Sequence, residues 1–252
     1  GCEVCVNACG HGAITMQPDK EGFILPVIDE SKCVDCGLCE KKCPVLQIPQ
    51  FEEIPHKVYA AYNLNKEQHQ KSASGGIFSA FANYFYQLDN GVVCASAFDE
   101  TMTLRFATST NKEDLLKFRG SKLSAYLKGW IHRESCYRCP FTGNHRQGDC
   151  TICDFWSILS GKKPFGRKTS MGVSMIMTNT VKGEKMFNQI KSQLYFEEKT
   201  FEDAIIDNHN LVRPDVRPQE RDCMYNELTE LSPEAFMQKY NCRLNVPTPL
   251  WK

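Results

Sequence analysis

One cysteine run, CVDCGLCEKKCP, restricts what the N-terminal part of this sequence can fold into. It reads C-x2-C-x2-C-x3-C-P, with Cys33, Cys36, Cys39, Cys43 and Pro44 at the fixed positions. Three thiolates at this spacing can wrap one corner of an iron-sulfur cubane, while the fourth reaches a second cluster. A structural zinc site commonly separates its two C-x2-C pairs more widely. The run therefore predicts ligation of [4Fe-4S] clusters.

The opening stretch, GCEVCVNACG, contains most of a second copy of this run. Cys2, Cys5 and Cys9 align with its second, third and fourth cysteines, at an offset of 34 residues. Gly10 follows Cys9 at the position that corresponds to Pro44 in the run at residues 33–44. This difference changes a turn but removes no ligand. The first cysteine of this copy would fall upstream of Gly1. Because the sequence also begins with Gly rather than Met, we expect the natural chain to start earlier.

Residues 1–48 resemble a dicluster ferredoxin of the two [4Fe-4S] type, with two short predicted strands, AITM and FILPVI, between the runs. The resemblance implies two ligand sets in which the last cysteine of each run serves the other cluster. These sets are Cys2, Cys5 and Cys43 for one cluster, and Cys9, Cys33, Cys36 and Cys39 for the other. With three thiolates in this chain, the first cluster is expected to be labile, for example of the [3Fe-4S] type.

Composition excludes several other classes of protein. Thirty basic residues balance thirty acidic ones, so no overall field attracts nucleic acid or an anionic membrane surface. No apolar run approaches the roughly 18 residues of a membrane span. Eleven of the 14 cysteines fall in tight clusters, which favours metal binding over a disulfide framework. We therefore expect a soluble protein in a reducing compartment, the cytoplasm.

The predicted fold class is α+β, with a small bacterial-type dicluster ferredoxin domain followed by a mixed α/β domain. The polar, proline-containing stretch QIPQFEEIP marks the boundary. We place the ferredoxin-like domain at 1–48, the linker at 49–57 and the α/β domain at 58–252. Within the latter, GVVCASAF and TLRFATST predict a hairpin, GVSMIMTNT a core strand and KGEKMFNQIKSQL an amphipathic helix.

The stretch SASGG connects a predicted strand, KVYAAYNL, to a predicted helix, IFSAFANYFYQL. This order places Ser72, Ser74, Gly75 and Gly76 at a helix N-terminus, where free backbone N–H groups can bind a phosphate. The residues alone favour a simpler interpretation, in which Ser74 is an N-cap and the glycines form a turn. Further on, Lys122 is a candidate partner for an anionic cofactor, although loop lysines are commonly solvated.

A second cysteine constellation, with C-x2-C-x10-C-x2-C spacing, comprises Cys136, Cys139, Cys150 and Cys153. Four thiolates in two separated pairs suit a zinc ribbon as well as a cubane, and spacing does not choose between the two metals. His145 in the intervening loop is either a substitute ligand or a surface residue. Arg213, Arg217 and Arg221 form either an anion site or a solvated loop.

Several stretches together resemble the coenzyme F420 hydrogenase/dehydrogenase beta subunit family, in the version preceded by a dicluster ferredoxin domain. They are SASGGIFSA, FRGSK, SCYRCPF, GDCTICDFW, GVSMIMTNT and NHNLVRPDVRPQERD. The resemblance implies FAD, electron relay through [4Fe-4S] clusters, and hydride exchange with a deazaflavin or another acceptor. It also implies that Cys136 and Cys139 are cluster ligands and that SASGG and Lys122 lie near the flavin.

The sequence departs from that family in one region. About a dozen residues separate Lys122 from Cys136, where the family has a long segment with Gly-Thr-Pro-Cys-Gln and Cys-His-Gly motifs. Cys150 and Cys153 are candidate substitutes for the cysteines of that segment. The shortening removes part of the family's catalytic domain, and this loss argues against binding of a flavin.

Two functions follow from these patterns. The first is an iron-sulfur, flavin-dependent oxidoreductase that passes electrons to or from a redox partner protein or a small-molecule acceptor. The second is a non-enzymatic electron-transfer or scaffold protein without flavin, whose C-terminal part is stabilised by zinc. The retained SASGG and GSK stretches favour the first, and the shortened segment favours the second. The sequence assigns no catalytic residue.

Overall fold

The structure is a computed structural model that describes residues 2–48, 56–98, 104–118, 128–143, 145–159 and 164–240. Its helices are α1 Val4–Ala8, α2 Leu38–Lys42, α3 Lys66–Gln70, α4 Ile77–Phe85, α5 Val181–Ile190, α6 Phe201–Ile205, α7 Arg221–Glu230 and α8 Pro233–Tyr240. Its strands are β1 Ile14–Pro18, β2 Ile24–Ile28, β3 Lys57–Asn63, β4 Val93–Phe98, β5 Leu104–Ser109, β6 Cys150–Asp154, β7 Ser174–Thr178 and β8 Leu194–Lys199. The predicted α+β class is confirmed.

The two cysteine runs fold as equivalent halves. Helices α1 and α2 occupy corresponding positions of the two runs, and each follows a residue in the left-handed region, Glu3 at φ 62° and Gly37 at φ 66°. Strands β1 and β2 pair antiparallel, from Ile14 opposite Ile28 to Pro18 opposite Ile24. The internal repeat and both short strands predicted from the sequence are therefore present.

The second part of the chain is built on an antiparallel sheet of order β6-β7-β3-β8. Strand β7 lies between β6 and β3, and all five of its residues are buried. Met175 and Met177 pack on one face of the sheet, while Ile176 packs on the other. Side chains that alternate between two cores require both faces of the sheet to be covered. The core strand predicted from GVSMIMTNT is confirmed.

Helices α4 and α5 cover one face of this sheet, with Ile77, Phe81, Phe187 and Ile190 in the shared core. Helix α5 starts at an N-cap, where Thr180 Oγ1 accepts a hydrogen bond from the N–H of Gly183 at 3.0 Å. This side chain satisfies one of the free N–H groups of the first turn and so fixes where the helix begins.

The opposite face is covered by helix α6 and by two short 3-10 helices, Trp156–Leu159 and His209–Leu211. They contribute Ile158, Ala204 and Leu211 to the core on this side. The segment from α6 to His209–Leu211 thus passes beside β6, where the candidate site described below is found.

The hairpin predicted from GVVCASAF and TLRFATST is present as β4 and β5, which pair from Val93 opposite Ser109 to Phe98 opposite Leu104. Lys112–Phe118 forms a 3-10 helix whose start is capped by Asn111, which accepts from the N–H of Glu113. Lys122 and the rest of segment 119–127 lie outside the described residues. Most of the predicted linker does so too, and the domain boundaries stay predictions.

The loop between β1 and β2 of the ferredoxin-like part contacts the second part of the chain. Arg221, at the start of α7, donates from Nη1 and Nη2 to the two carboxylate oxygens of Glu21, at 2.8 and 2.6 Å. Its Nε and Nη2 also donate to the carbonyl oxygen of His132, at 3.1 and 2.8 Å. Arg133 lies over Phe23, 5.1 Å from its ring centroid. A fully buried arginine thus joins the two parts.

Candidate cluster ligands and cofactor cavity

All seven cysteines of the two N-terminal runs are free thiols, and each is exposed or half-buried. The backbone N–H groups of Ala13, His11 and Gly12 point at Cys9 and lower its thiol pKa. Hydrogen bonds of this kind stabilise a thiolate, which is the form that binds metal. The geometry around Cys9 therefore suits a cluster ligand.

The separation of the cysteine sulfurs provides a test of which metal group fits. Across the described ranges, no three of them lie within 4.8 Å of one another. A tetrahedral zinc site, with zinc–sulfur bonds of about 2.3 Å, requires sulfurs within roughly 4 Å of each other. The described N-terminal thiols therefore do not form a preassembled tetrahedral zinc site.

A cavity of about 1090 Å³ lies between the start of α4, strand β6 and the segment 207–215. Three of the residues predicted to bind a cofactor line it, namely Ser72, Ser74 and Gly76. Gly75 is buried beside them, and a Cβ there would lie 2.4 Å from the carbonyl oxygen of Ala61. These residues therefore form part of one wall of the cavity, and only glycine fits at position 75; their binding of a cofactor stays a prediction.

The alternative prediction for Ser74, an N-cap of α4, is wrong. The N-cap residue is Gly76, which is left-handed at φ 74° and makes no side-chain cap hydrogen bond. The hydroxyl of Ser74 instead donates to the carbonyl oxygen of Val173, at 3.0 Å. The first turn of α4 consequently begins at the cavity without a capping side chain.

Arg146 is the cation in the cavity wall among the described residues. Its Nη1 donates to the carbonyl oxygen of Phe141 at 3.3 Å, and its Nη2 reaches that of Asn210 at 3.5 Å. Its Nε is buried and has no protein partner within the described part of the chain. Burial lowers the pKa of Arg146, and the nearby thiols of Cys153 and Cys139 act in the opposite direction.

The structure does not assemble the four-thiolate set predicted at residues 136–153. Cys136 and Cys139 lie at a 3-10 turn, where the N–H of Cys139 donates to the carbonyl of Cys136 at 3.3 Å. Cys150 and Cys153, however, lie on β6 and pack into the cores on opposite faces of the sheet. Residues three apart on a strand point in opposite directions, so one metal cannot take both without distorting β6.

Cys150 in particular is placed as a core residue. Its sulfur lies against α5, 3.5 Å from the carbonyl oxygen of Gly183, and burial raises its pKa to about 12. Cys153 instead lines the cavity and, like Cys139, lies near Arg146. Cys139 and Cys153 thus both lie within electrostatic reach of Arg146, whereas Cys150 packs against α5. The metal predicted for residues 136–153 stays a prediction.

The cavity also contains three residues that the sequence analysis did not single out. Asp215 lies between two imidazoles: its Oδ2 is 3.1 Å from Nδ1 of His132, and its Oδ1 pairs with Nε2 of His209. All three line the cavity. His209 and Asp215 fall in the stretch NHNLVRPDVRP, but their proximity to His132 depends on the fold.

The arginines predicted as an anion site are already paired. Arg217 donates from Nε to Glu134 at 2.7 Å and also pairs with Asp222. Arg221 binds Glu21, as described above, and Arg213 donates to the carbonyl of Pro214. These residues satisfy carboxylates and backbone groups of the chain itself, so the first of the two alternatives is not supported.

Two protein-family models match this chain, one over each part. Residues 1–46 match the model described as a 4Fe-4S dicluster domain. Residues 86–204 match the model for the C terminus of the coenzyme F420 hydrogenase/dehydrogenase beta subunit. Each model covers less than half of the chain, so the N-terminal part is similar to a dicluster ferredoxin domain and residues 86–204 are similar to the C terminus of an F420 hydrogenase/dehydrogenase beta subunit. This agrees with the resemblance found in the sequence, and the dicluster match supports binding of [4Fe-4S] clusters.

A curated relative supports the N-terminal assignment. It is a ferredoxin from Alicyclobacillus acidocaldarius subsp. acidocaldarius, 41% identical over 51 residues. The aligned part is 20% of this chain and 59% of the ferredoxin. The beta subunit match contains β4 to β8 and much of the cavity wall, whereas Ser72–Gly76 and residues 207–215 lie outside it. Of the described residues, none belongs to a helix that could cross a membrane.

Proposed function

We propose that this chain is a flavin-dependent iron-sulfur oxidoreductase in which the cavity beside β6 holds FAD. The observation that carries the proposal is the cavity itself: its volume of about 1090 Å³ is slightly above the roughly 300–1,000 Å³ of most small-molecule and cofactor sites, so it has room for a ligand as large as FAD. Electrons would enter or leave through the N-terminal [4Fe-4S] clusters. A bound flavin would supply the conversion between single-electron steps and a hydride.

One end of the cavity suits the phosphates of FAD. The uncapped first turn of α4 presents backbone N–H groups next to Ser72, Ser74 and Gly76, and helix N-termini favour anions. Arg146 adds a positive charge whose Nε has no protein partner in the described ranges. A desolvated guanidinium makes charge-assisted hydrogen bonds to phosphate oxygens.

The apolar side chains of the cavity suit a flat aromatic ring. Phe78, Phe118, Ile77 and Trp156 are among the lining residues, and Trp156 is 55% exposed. Aromatic rings stack favourably on one another, so these side chains support binding of an isoalloxazine. A deazaflavin or another hydride acceptor would approach from the open side of the same cavity.

The thiols near Arg146 support an electron route between the two parts of the chain. Cys136 belongs to the 3-10 helix Glu134–Arg138, whose Glu134 contacts Arg221 at 3.0 Å. Arg221 in turn holds Glu21 of the ferredoxin-like part. Cys153 lies at the cavity end of this path, and both Cys139 and Cys153 are within electrostatic reach of Arg146. A further cluster held in part by Cys136 and Cys139 would occupy an intermediate position.

Free, clustered thiols also fit a cytoplasmic location.

Binding of FAD by an Arg146→Gln variant tests this proposal. Loss of a hydrogen bond to a charged group amounts to about 1.5–3 kcal/mol, so FAD should bind roughly 10- to 100-fold more weakly. The anaerobically purified protein should show a flavin absorbance spectrum, and the affinity can be measured by quenching of flavin fluorescence.

Arg167→Gln is the matched control, because Arg167 lies over Tyr195 and does not line the cavity. It should leave the affinity for FAD unchanged. Iron-containing protein without flavin, which also fails to bind added FAD, would overturn the proposal in favour of a simple electron carrier.

A further inference from the structure

We propose that His209 is the residue that exchanges a proton with the molecule bound in the cavity, and that Asp215 positions it. This inference rests on the proposed function, because it assumes a two-electron centre in the cavity. Both residues belong to the stretch NHNLVRPDVRPQERD, for which the resemblance gives no role, and both lie outside the family match at residues 86–204.

The position of His209 suits exchange with both solvent and ligand. Its side chain is 45% exposed, and it lines the cavity. Its Nε2 pairs with Oδ1 of Asp215, so Nε2 carries the proton of that hydrogen bond and Nδ1 is the atom that gains or gives up a proton. An imidazole held in one tautomer by a carboxylate is the arrangement that general acid–base catalysis requires.

The second carboxylate oxygen of Asp215 faces the interior. Its Oδ2 lies 3.1 Å from Nδ1 of His132, whose side chain is 8% exposed. The carbonyl oxygen of His132 accepts two hydrogen bonds from Arg221, and Arg221 binds Glu21 of the ferredoxin-like part. Arg221, which joins the ferredoxin-like part to the second part of the chain, therefore also holds the backbone of His132, whose side chain contacts Asp215.

A shared metal is a poor alternative for these three residues. A mononuclear site needs one ligand atom from each residue near a common point, and within the described ranges the two imidazoles and the carboxylate do not form such a group. Asp215 bridges two imidazoles instead. The other charged residues lining the cavity are Arg146, Asp154 and Asp207, and Tyr137 lies 5.9 Å from the ring of His132.

The proton balance is simple. When bound, FAD would supply the coupling between two single-electron transfers and the uptake of one proton. His209 would supply that proton from Nδ1. The N–H bond breaks, its electron pair stays on the imidazole, and the neutral ring regains a proton from water at its exposed edge. The carboxylate of Asp215 would stabilise the imidazolium and hold its ring in place.

The test compares His209→Ala, Asp215→Asn and the control Asp114→Asn, whose carboxylate pairs with Lys117 and does not line the cavity. The FAD-loaded protein is reduced photochemically, and proton uptake is followed with a pH indicator. Uptake should be slowed about 100-fold in His209→Ala and about 10-fold in Asp215→Asn, in line with general acid catalysis. It should be unchanged in Asp114→Asn. Added imidazole should restore uptake in His209→Ala, which a merely structural histidine would not allow.

A second readout does not depend on flavin. Nitrogen-15 NMR of histidine-labelled protein should show His209 protonated at Nε2, and Asp215→Asn should change that tautomer distribution. If His209→Ala binds FAD with normal affinity and takes up protons at an unchanged rate, this inference alone is overturned. Unsubstituted protein that binds no FAD would overturn the proposed function and the inference with it.

Discussion

Replacing Cys36 with serine is expected to remove one N-terminal cluster, a loss of about four iron atoms per chain. Cys36 is exposed and immediately precedes Gly37, the N-cap residue of α2. Cys94→Ser is the matched control, because Cys94 is an isolated exposed thiol on β4, opposite Thr108. It should retain all of its iron. Iron and acid-labile sulfide analysis of anaerobically prepared protein makes the measurement.

Double variants test the crossed ligation implied by the ferredoxin resemblance. If Cys9 and Cys36 serve the same cluster, Cys9→Ser combined with Cys36→Ser should lose no more iron than Cys36→Ser alone. If Cys5 serves the other cluster, combining Cys5→Ser with Cys36→Ser should remove nearly all the N-terminal iron. Additive loss in the first pair would contradict the assignment of these ligands.

Replacing Arg221 with methionine should release the ferredoxin-like part from the second part of the chain. The arginine is fully buried and its partner Glu21 is 13% exposed, so the substitution leaves a largely buried carboxylate without its cation. Breaking a buried pair in this way costs about 3–5 kcal/mol. Hydrogen–deuterium exchange should show faster exchange at residues 19–24 and at residues 132–134.

Arg217→Gln provides the comparison for this prediction. Arg217 also pairs with two carboxylates, but those of Glu134 and Asp222 are 49% and 66% exposed. Exposed pairs contribute at most about 1 kcal/mol, so exchange at residues 19–24 should be nearly unchanged. Equal protection in Arg221→Met and the unsubstituted protein would show that Arg221 does not hold the two parts together.

The fold of the N-terminal part could be predicted largely from sequence, because its cysteine runs and short strands are local patterns. The spacing of the two cysteine runs indicated their equivalence, and the structure places α1 and α2 accordingly. In the second part, the pattern Met175-Ile176-Met177 was sufficient to predict a core strand, since an unbroken apolar run suits a strand buried on both faces. Strand β6 was missed because the two cysteines of CTICD indicated a metal site.

The cavity could be predicted only in part. Ser72, Ser74 and Gly76 were found because a strand, a glycine turn and a helix follow one another directly in the sequence. His209 and Asp215 lie far along the chain from His132, and Arg221 meets a partner 200 positions away. Pairs of this kind leave no local pattern, because they depend on how the sheet and the ferredoxin-like part pack together.

The central claim is that electrons pass between the N-terminal clusters and a flavin in the cavity. It is tested most directly by rapid-mixing absorbance measurements on the FAD-loaded protein with a reduced single-electron carrier protein, which is too large to enter the cavity. The clusters should be reduced first and the flavin after them, and Cys36→Ser with equal FAD occupancy should slow flavin reduction at least tenfold. Flavin reduction at the same rate in both proteins would contradict the account.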